Sequence, residues 1–208
     1  MIESHPVRSM DFASASGFVL IGGRSRRLGI DKATYPIGGV PAADRLASRL
    51  LEVCRGGVVL VGREGAPWSS HPCVPDSRAG IGPVSGLLTS LERCDTEYAF
   101  VLATDLWNVT SAGLESVLSD MSEIHEGSFA DVTYAATAAG RGQPLCSVWR
   151  VESVLATVRR RIDSGDLSMF GILDDVHAKP VILDDAQLRN VNEPQDLELF
   201  LREVLGER

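Results

Sequence analysis

Histidine and cysteine are scarce in this 208-residue chain, four of each, and they are scattered. Cys54, Cys73, Cys94 and Cys146 form no C-x-x-C pair, and His5, His71, His125 and His177 stand far from them and from one another. That spacing argues against a zinc site and against a disulfide framework, and leaves reduced thiols as the expected state. No run of about 18 apolar residues occurs, so no membrane-spanning helix is expected. The opening MIESHPVRSMDFASAS has no continuous apolar stretch of the kind a secretory leader needs. A loose N-terminal tail over residues 1–16 and a cytoplasmic chain are therefore expected. Positive charge is also short: 20 Lys and Arg against 28 Asp and Glu give a net charge of −8. A general nucleic-acid or membrane-surface binder needs a broad basic footprint, which such a chain does not have. Repeats and linkers are absent too, which points to one domain over residues 17–208.

What is present is enough apolar material for a sizeable core, 44% of residues. Short apolar runs alternate with helical patterns. GFVLIGG (17–23), GVVLVG (57–62) and YAFVLATD (98–105) read as buried strands. PAADRLASRLLEVC (41–54), PVSGLLTSLERC (83–94) and SAGLESVLSDMSEIH (111–125) read as helices, two of them opened by a proline suited to the first turn. Further strands are expected at 131–137, 143–150 and within 177–185, where Pro180 favours a sheet edge. Helices are expected at 151–163 and 193–205. Strand–helix alternation of this kind builds β-α-β units around a mainly parallel sheet, an α/β class chain.

Ligands of such sheets bind beyond the carboxyl ends of the strands. Three loops fall there. The first, GGRSRRLGIDK (22–32), carries Gly22, Gly23 and Gly29 among Arg24, Arg26, Arg27 and Lys32. Glycines let the backbone approach a ligand closely, and the cations suit phosphate oxygens. No G-K-[ST] closes the loop and no G-x-G-x-x-G opens a helix, so it is neither a P-loop nor a dinucleotide fingerprint. The second, PDSRAGIGPVSGL (75–87), sets Gly80, Gly82 and Gly86 about a helix start, where free N–H groups meet anions. Asp76 in that loop is either an acceptor for a base or sugar, or a turn residue. In the third, ATDLWN (103–108), Asp105 follows an apolar strand and is suited to Mg²⁺ beside a triphosphate; a turn or cap aspartate is the alternative.

Together these residues resemble the molybdenum cofactor guanylyltransferase family, which opens with L-A-G-G-x-S-x-R-M-G-x-D-K-A. Here the stretch reads Leu20, Ile21, Gly22, Gly23, Arg24, Ser25, Arg26, Arg27, Leu28, Gly29, Ile30, Asp31, Lys32, Ala33. The family's D-x-x-x-G-x-G-P-L-x-G-L stretch matches Asp76 through Leu87, with Val84 for Leu, and its N-x-N-T-P-x-D-L stretch matches Asn190 through Leu197. The similarity runs from about residue 17 to about residue 200. It implies a Rossmann-like three-layer nucleotidyltransferase fold, mostly parallel with an antiparallel edge. It also implies transfer of GMP from GTP to the phosphate of molybdopterin, with release of pyrophosphate. By motif match Lys32 and Arg27 bind the triphosphate and Asp105 coordinates Mg²⁺. Leu20, Ile21, Gly22, Gly23, Arg24, Ser25, Arg26, Asp76, Gly80, Gly82 and Gly86 border the nucleotide, and Asn190 and Asn192 face the acceptor. Three departures from the pattern matter. Ile21 replaces Ala, which bears on base preference, and Leu28 replaces Met. Leu106-Trp107 replaces Met-Pro after the acid, where a bulky ring is expected to reshape the acceptor pocket.

No Ser-His-Asp or Cys-His set offers itself, and an attacking phosphate needs no protein base. Positioning and charge neutralisation then carry the reaction. GTP and molybdopterin are the expected small-molecule partners, with proteins of cofactor insertion as handover partners. A cytidylyltransferase, another small-acceptor nucleotidyltransferase, and a silent nucleotide-binding paralogue, for which Trp107 speaks, share the same loops.

Overall fold

The structure, a computed structural model, describes residues 15–23, 27–122, 124–125 and 128–205. Its chain runs β1 (Ala15–Leu20), β2 (Pro36–Ile37), β3 (Val40–Pro41), α1 (Ala42–Val53), β4 (Val58–Val61), β5 (Cys73–Val74), α2 (Pro83–Arg93), β6 (Tyr98–Ala103) and α3 (Ser111–Ser119). It continues through β7 (Ile124–His125), β8 (Ser128–Phe129), β9 (Val132–Ala136), β10 (Gly142–Arg150), α4 (Val151–Asp163), α5 (Met169–Asp174), β11 (Ala178–Ile182) and α6 (Pro194–Phe200), which ends in a π-helical turn, Leu201–Leu205. Two small hairpins, β2–β3 and β7–β8, stand apart from the main sheet.

The main sheet has seven strands in the order β11-β9-β10-β6-β1-β4-β5. β1 pairs in parallel with both β4 and β6, as β4 does with β5 and β11 with β9. β10 alone among these seven is reversed, antiparallel to β6 and to β9. The expected mostly parallel sheet is therefore present, with the reversed β10 third from the β11 margin, between β9 and β6. Pro180 sits in β11 at that margin, where a missing N–H costs no ladder bond.

The strands are apolar throughout because both faces are covered. Val19 and Ile21 join Phe100 and Leu102 under α1 and α3, through Leu46, Leu50, Leu114 and Val117. Phe18, Leu20, Ala99 and Val101 point the other way, to Leu87 and Leu91 of α2 and to Val154 and Val158 of α4. Period-two alternation along each strand thus yields three layers.

One boundary moved and one helix was added. Ala15 and Ser16, expected to end the tail, begin β1: Ala15 is buried, and Ser16 accepts a hydrogen bond from Thr96 Oγ1 at 2.9 Å. The rest of the expected tail lies outside the described residues. The α5 turn, MFGILD, was not anticipated; Ser168 caps it by accepting from the Gly171 N–H.

From β1 the chain moves outward to β4 and β5, then returns to place β6 on the opposite side of β1. That reversal opens a crevice at the carboxyl ends of β1 and β6, the general ligand position in open α/β sheets.

Candidate active site

A cleft of about 570 Å³ occupies this crevice. Leu20, Gly22 and Gly23 reach it from the end of β1, and Val61 from β4. Asp76, Gly80, Gly82 and Gly86 come from the second loop and α2, and Thr104 and Asp105 from beyond β6. Arg27, Lys32 and Asn192 complete the polar wall. Residues more than 150 positions apart in sequence thus meet around one space.

Close backbone packing makes this convergence possible. A Cβ on Gly62 would lie 2.6 Å from the Gly22 backbone nitrogen, so only glycine lets the end of β4 press against the start of the Gly/Arg loop. Gly82 caps α2 with φ of 81°, a left-handed conformation that side chains resist, and Pro83 follows at the first turn. No side chain caps this end of the 11-residue helix. Pro83 has no N–H and the Ser85 N–H donates to the Gly82 carbonyl at 3.1 Å, so this end offers the cleft chiefly the positive end of the helix dipole, with Gly82, Pro83 and Gly86 lining it.

The charged groups are held under tension. Lys32 donates to the Asn192 side-chain oxygen at 2.6 Å. Burial lowers the Lys32 pKa below that of a free lysine, the Asp105 carboxylate opposes that shift, and Arg27 adds to it. Asn192 is itself fixed, because Asp196 accepts from the backbone N–H groups of Asn192 and Glu193 at 2.9 and 2.8 Å in the capping box of α6. Asp105 is tied through its backbone carbonyl, which accepts from Val191 at 2.8 Å. Its Oδ1 is buried and has no hydrogen-bond partner among the described residues. A buried carboxylate oxygen left bare is costly unless a ligand supplies its partner. Asp76 also faces the cleft, and burial raises its carboxyl pKa above the ordinary value. Arg27 is mostly exposed, 3.8 Å from the Glu193 carboxylate.

Other expected site residues fall elsewhere. The Ile21 side chain is buried in the α1/α3 core layer and does not line the cleft; only its backbone belongs to the loop. Asn190 is held away from the cleft lining, its side-chain oxygen accepting from Gln143 Nε2 at 2.7 Å. Arg24, Ser25 and Arg26 lie outside the described residues. Trp107 corrects an expectation more sharply. Its ring is 2% exposed and does not enter the cleft. It stacks on Tyr35 with centroids 5.2 Å apart and meets Phe200 edge-on at 5.2 Å, and its indole N–H donates to the Thr104 carbonyl at 2.7 Å. Leu28, Ile37, Val191 and Phe200 share that cluster. The ring therefore joins the segments that carry Lys32, Asp105 and Asn192 from behind. It does not line the cleft.

One participant had not been singled out. Arg63, just beyond β4, donates through both terminal nitrogens to the Asp31 carboxylate at 2.7 and 2.6 Å, and through Nε to the Ile21 carbonyl at 3.0 Å. Its neighbour Gly62 at the end of a buried strand was the available signal.

Among the described residues no group of three or more His, Cys, Asp or Glu stands together to hold a metal ion, and no helix is long and apolar enough to cross a membrane. A single carboxylate in a cleft still fits a hard, largely hydrated cation, which takes one or two protein oxygens and completes its shell with ligand oxygens and water.

Comparison with known proteins agrees with this geometry. A curated protein of Mycobacterium marinum, described as a "probable molybdenum cofactor guanylyltransferase", is 26% identical over 198 residues, covering 91% of this chain and 94% of its own length. One of the same description from Rhodopirellula baltica is 30% identical over 190 residues, covering 87% of this chain and 89% of its own length. The crystal structure of molybdopterin-guanine dinucleotide biosynthesis protein A from Archaeoglobus fulgidus shares the fold with a TM-score of 0.70 at 19% identity, over 88% of this chain and 95% of that one. The model of the MobA-like NTP transferase domain matches residues 17–176, and with the cleft at the sheet's switch point lined by its motif residues, the chain belongs to the MobA-like NTP transferase family.

Proposed function

We propose that this protein transfers GMP from GTP to the phosphate of molybdopterin, releasing pyrophosphate. The observation that carries this reading is the cleft itself. Gly22 and Gly23, Lys32, Arg27 and the N-terminal end of α2 line one space with Asp105, whose buried Oδ1 has no hydrogen-bond partner among the described residues. That set suits a triphosphate with a divalent cation better than any other small ligand. The descriptions of the relatives support the choice of guanine nucleotide and pterin acceptor.

The acceptor phosphate oxygen forms a bond to the α-phosphorus as the bond from that phosphorus to the β-bridging oxygen breaks, and pyrophosphate leaves. An ionised phosphate brings its own electron pair, so no general base is required. Lys32 and Arg27 neutralise charge gathering on the leaving group, and the α2 N-terminus adds a fixed partial positive charge. Lys32 spends one of its three donors on the Asn192 side-chain oxygen and keeps the others for the triphosphate, while the Asn192 amide nitrogen remains for the acceptor side. Asp76 accepts from donors on the nucleoside. Asp105 would hold Mg²⁺, which when bound supplies further charge neutralisation at the phosphates.

The test is pyrophosphate release from GTP, and in parallel from CTP, in the presence of molybdopterin and Mg²⁺. Product formed from GTP supports the proposal. Product from CTP instead transfers the reading to a cytidylyltransferase. Nucleotide binding without release in any combination overturns it in favour of a binding role.

A further inference from the structure

The Gly/Arg loop leaves the sheet at Ile21 and returns at Asp31, and one side chain grips both points. Arg63 spends three donors on them: Nε on the Ile21 carbonyl at 3.0 Å, and its two terminal nitrogens on the two Asp31 oxygens at 2.7 and 2.6 Å. The planar fork matches a carboxylate in a way no lysine does. Asp31 is committed to this arrangement, since its Oδ1 also accepts from the Ala33 N–H at 3.1 Å and its carboxyl pKa is lowered, chiefly by the hydrogen bond from Arg63. Gly62, one residue before Arg63, packs against Gly22, so the Arg63 side chain leaves the backbone beside the loop it grips.

Lys32 is the next residue after Asp31, and Gly22 the next after Ile21. We infer that Arg63 is a positioning residue for phosphate binding. It staples the two ends of the Gly/Arg loop, so that the glycine backbone and the Lys32 ammonium face the nucleotide at a fixed separation. Arg63 does not itself line the cleft. Its effect reaches the ligand through Ile21 and Asp31, and this inference rests on the cleft being the nucleotide site proposed above.

The staple makes a prediction that a general stability role does not. It acts on phosphates, so its loss weakens a nucleoside triphosphate and spares the nucleoside. The experiment is calorimetric titration of Mg-GTP and of guanosine into wild type, Arg63→Lys, Asp31→Asn and the double variant, with Arg202→Ala as a surface control and thermal unfolding run on each. Arg63→Lys keeps the charge but loses the fork. It is expected to weaken GTP by about tenfold, the lower range for losing charge-assisted hydrogen bonds on a partly exposed pair. Guanosine affinity should be unchanged. The double variant should lose no more than the worse single one, because both break the same clamp. Equal losses for GTP and guanosine, or unchanged GTP affinity in Arg63→Lys, overturn the staple while leaving the nucleotide site standing. Additive losses in the double variant also overturn it. Wild type that binds no nucleotide overturns both readings. If Asp31→Asn unfolds, Arg63→Lys alone still decides through the GTP-to-guanosine contrast.

Discussion

Replacing Trp107 with alanine removes the largest side chain from the cluster that backs the active site. The ring is 2% exposed, stacked on Tyr35 and edge-on to Phe200, and its N–H satisfies the Thr104 carbonyl. Truncating a buried aromatic to alanine costs about 3–5 kcal/mol through lost transfer energy and the cavity left behind. For a chain of this length each kcal/mol moves the midpoint by roughly 2–4 °C, so Trp107→Ala should unfold on the order of 6–20 °C below wild type. Trp107→Phe retains an aromatic face but supplies no donor to Thr104, which costs about 1–3 kcal/mol and should place it between the two. Thermal unfolding followed by near-ultraviolet circular dichroism, which reports buried rings, is the assay. Tyr35 shares a loop with Lys32, Thr104 precedes Asp105, and Phe200 belongs to the helix that begins after Asn192. The alanine variant should therefore also lose turnover when folded at low temperature. A midpoint within about 2 °C of wild type, less than one kcal/mol on this scale, would refute the reasoning. It would mean that the ring carries no packing energy and is not the common support of the three segments.

Asp105→Ala should lower turnover by at least about a hundredfold, the usual loss on removing a preorganised electrostatic group; near-normal pyrophosphate release from that variant would sink the cation assignment. Mg-GTP at about 100 times its dissociation constant should stabilise the protein by roughly 2.7 kcal/mol, a thermal shift of about 5–10 °C for this size, and a larger shift with CTP would reassign the base. Because burial lowers the Lys32 pKa, its ammonium is lost at a lower pH than a free lysine's. GTP affinity should fall on the alkaline side before the ordinary lysine range, and Lys32→Met should abolish that limb. The sign for stability is opposite. Between the lowered folded pKa and the unfolded one the unfolded chain holds more protons, so the ligand-free protein gains stability as pH rises through that window, a rise that thermal unfolding should find absent in Lys32→Met. Gly62→Ala places a methyl 2.6 Å from the Gly22 nitrogen, and because that neighbour is backbone the loop itself must shift; weakened GTP binding together with a lowered midpoint is expected in calorimetry and thermal unfolding.

Much of this was legible in the chain because the signals were local. A buried strand needs a short apolar run whichever strand it pairs with, and β1, β4 and β6 were readable as such. Pro83 marked the start of α2 because its fixed φ suits a first turn. The Gly/Arg loop and Asp105 were readable because an ordered motif follows each strand directly. The signals that failed were long-range. Arg63 meets Asp31 from 32 positions away, and Gly62 beside it marks a strand end without naming the partner. Asn190 and Asn192 look equivalent in sequence, yet Gln143 takes one and Lys32 the other. Trp107 was identifiable as bulky, but its direction depends on Tyr35 and Phe200, which come to it from opposite ends of the chain.

By itself, then, the sequence determined the α/β class, the strands whose carboxyl ends border the cleft, and the glycine, lysine and aspartate residues that line it. These follow from backbone sterics, apolar periodicity and the charge of individual side chains. Only the tertiary structure decided that β6 returns beside β1 to open the cleft, that Asp105 keeps an oxygen bare, that Trp107 supports the site from behind, and that Arg63 closes the loop. Those outcomes depend on which distant side chains share a buried space, where desolvation and hydrogen-bond geometry select one partner among several.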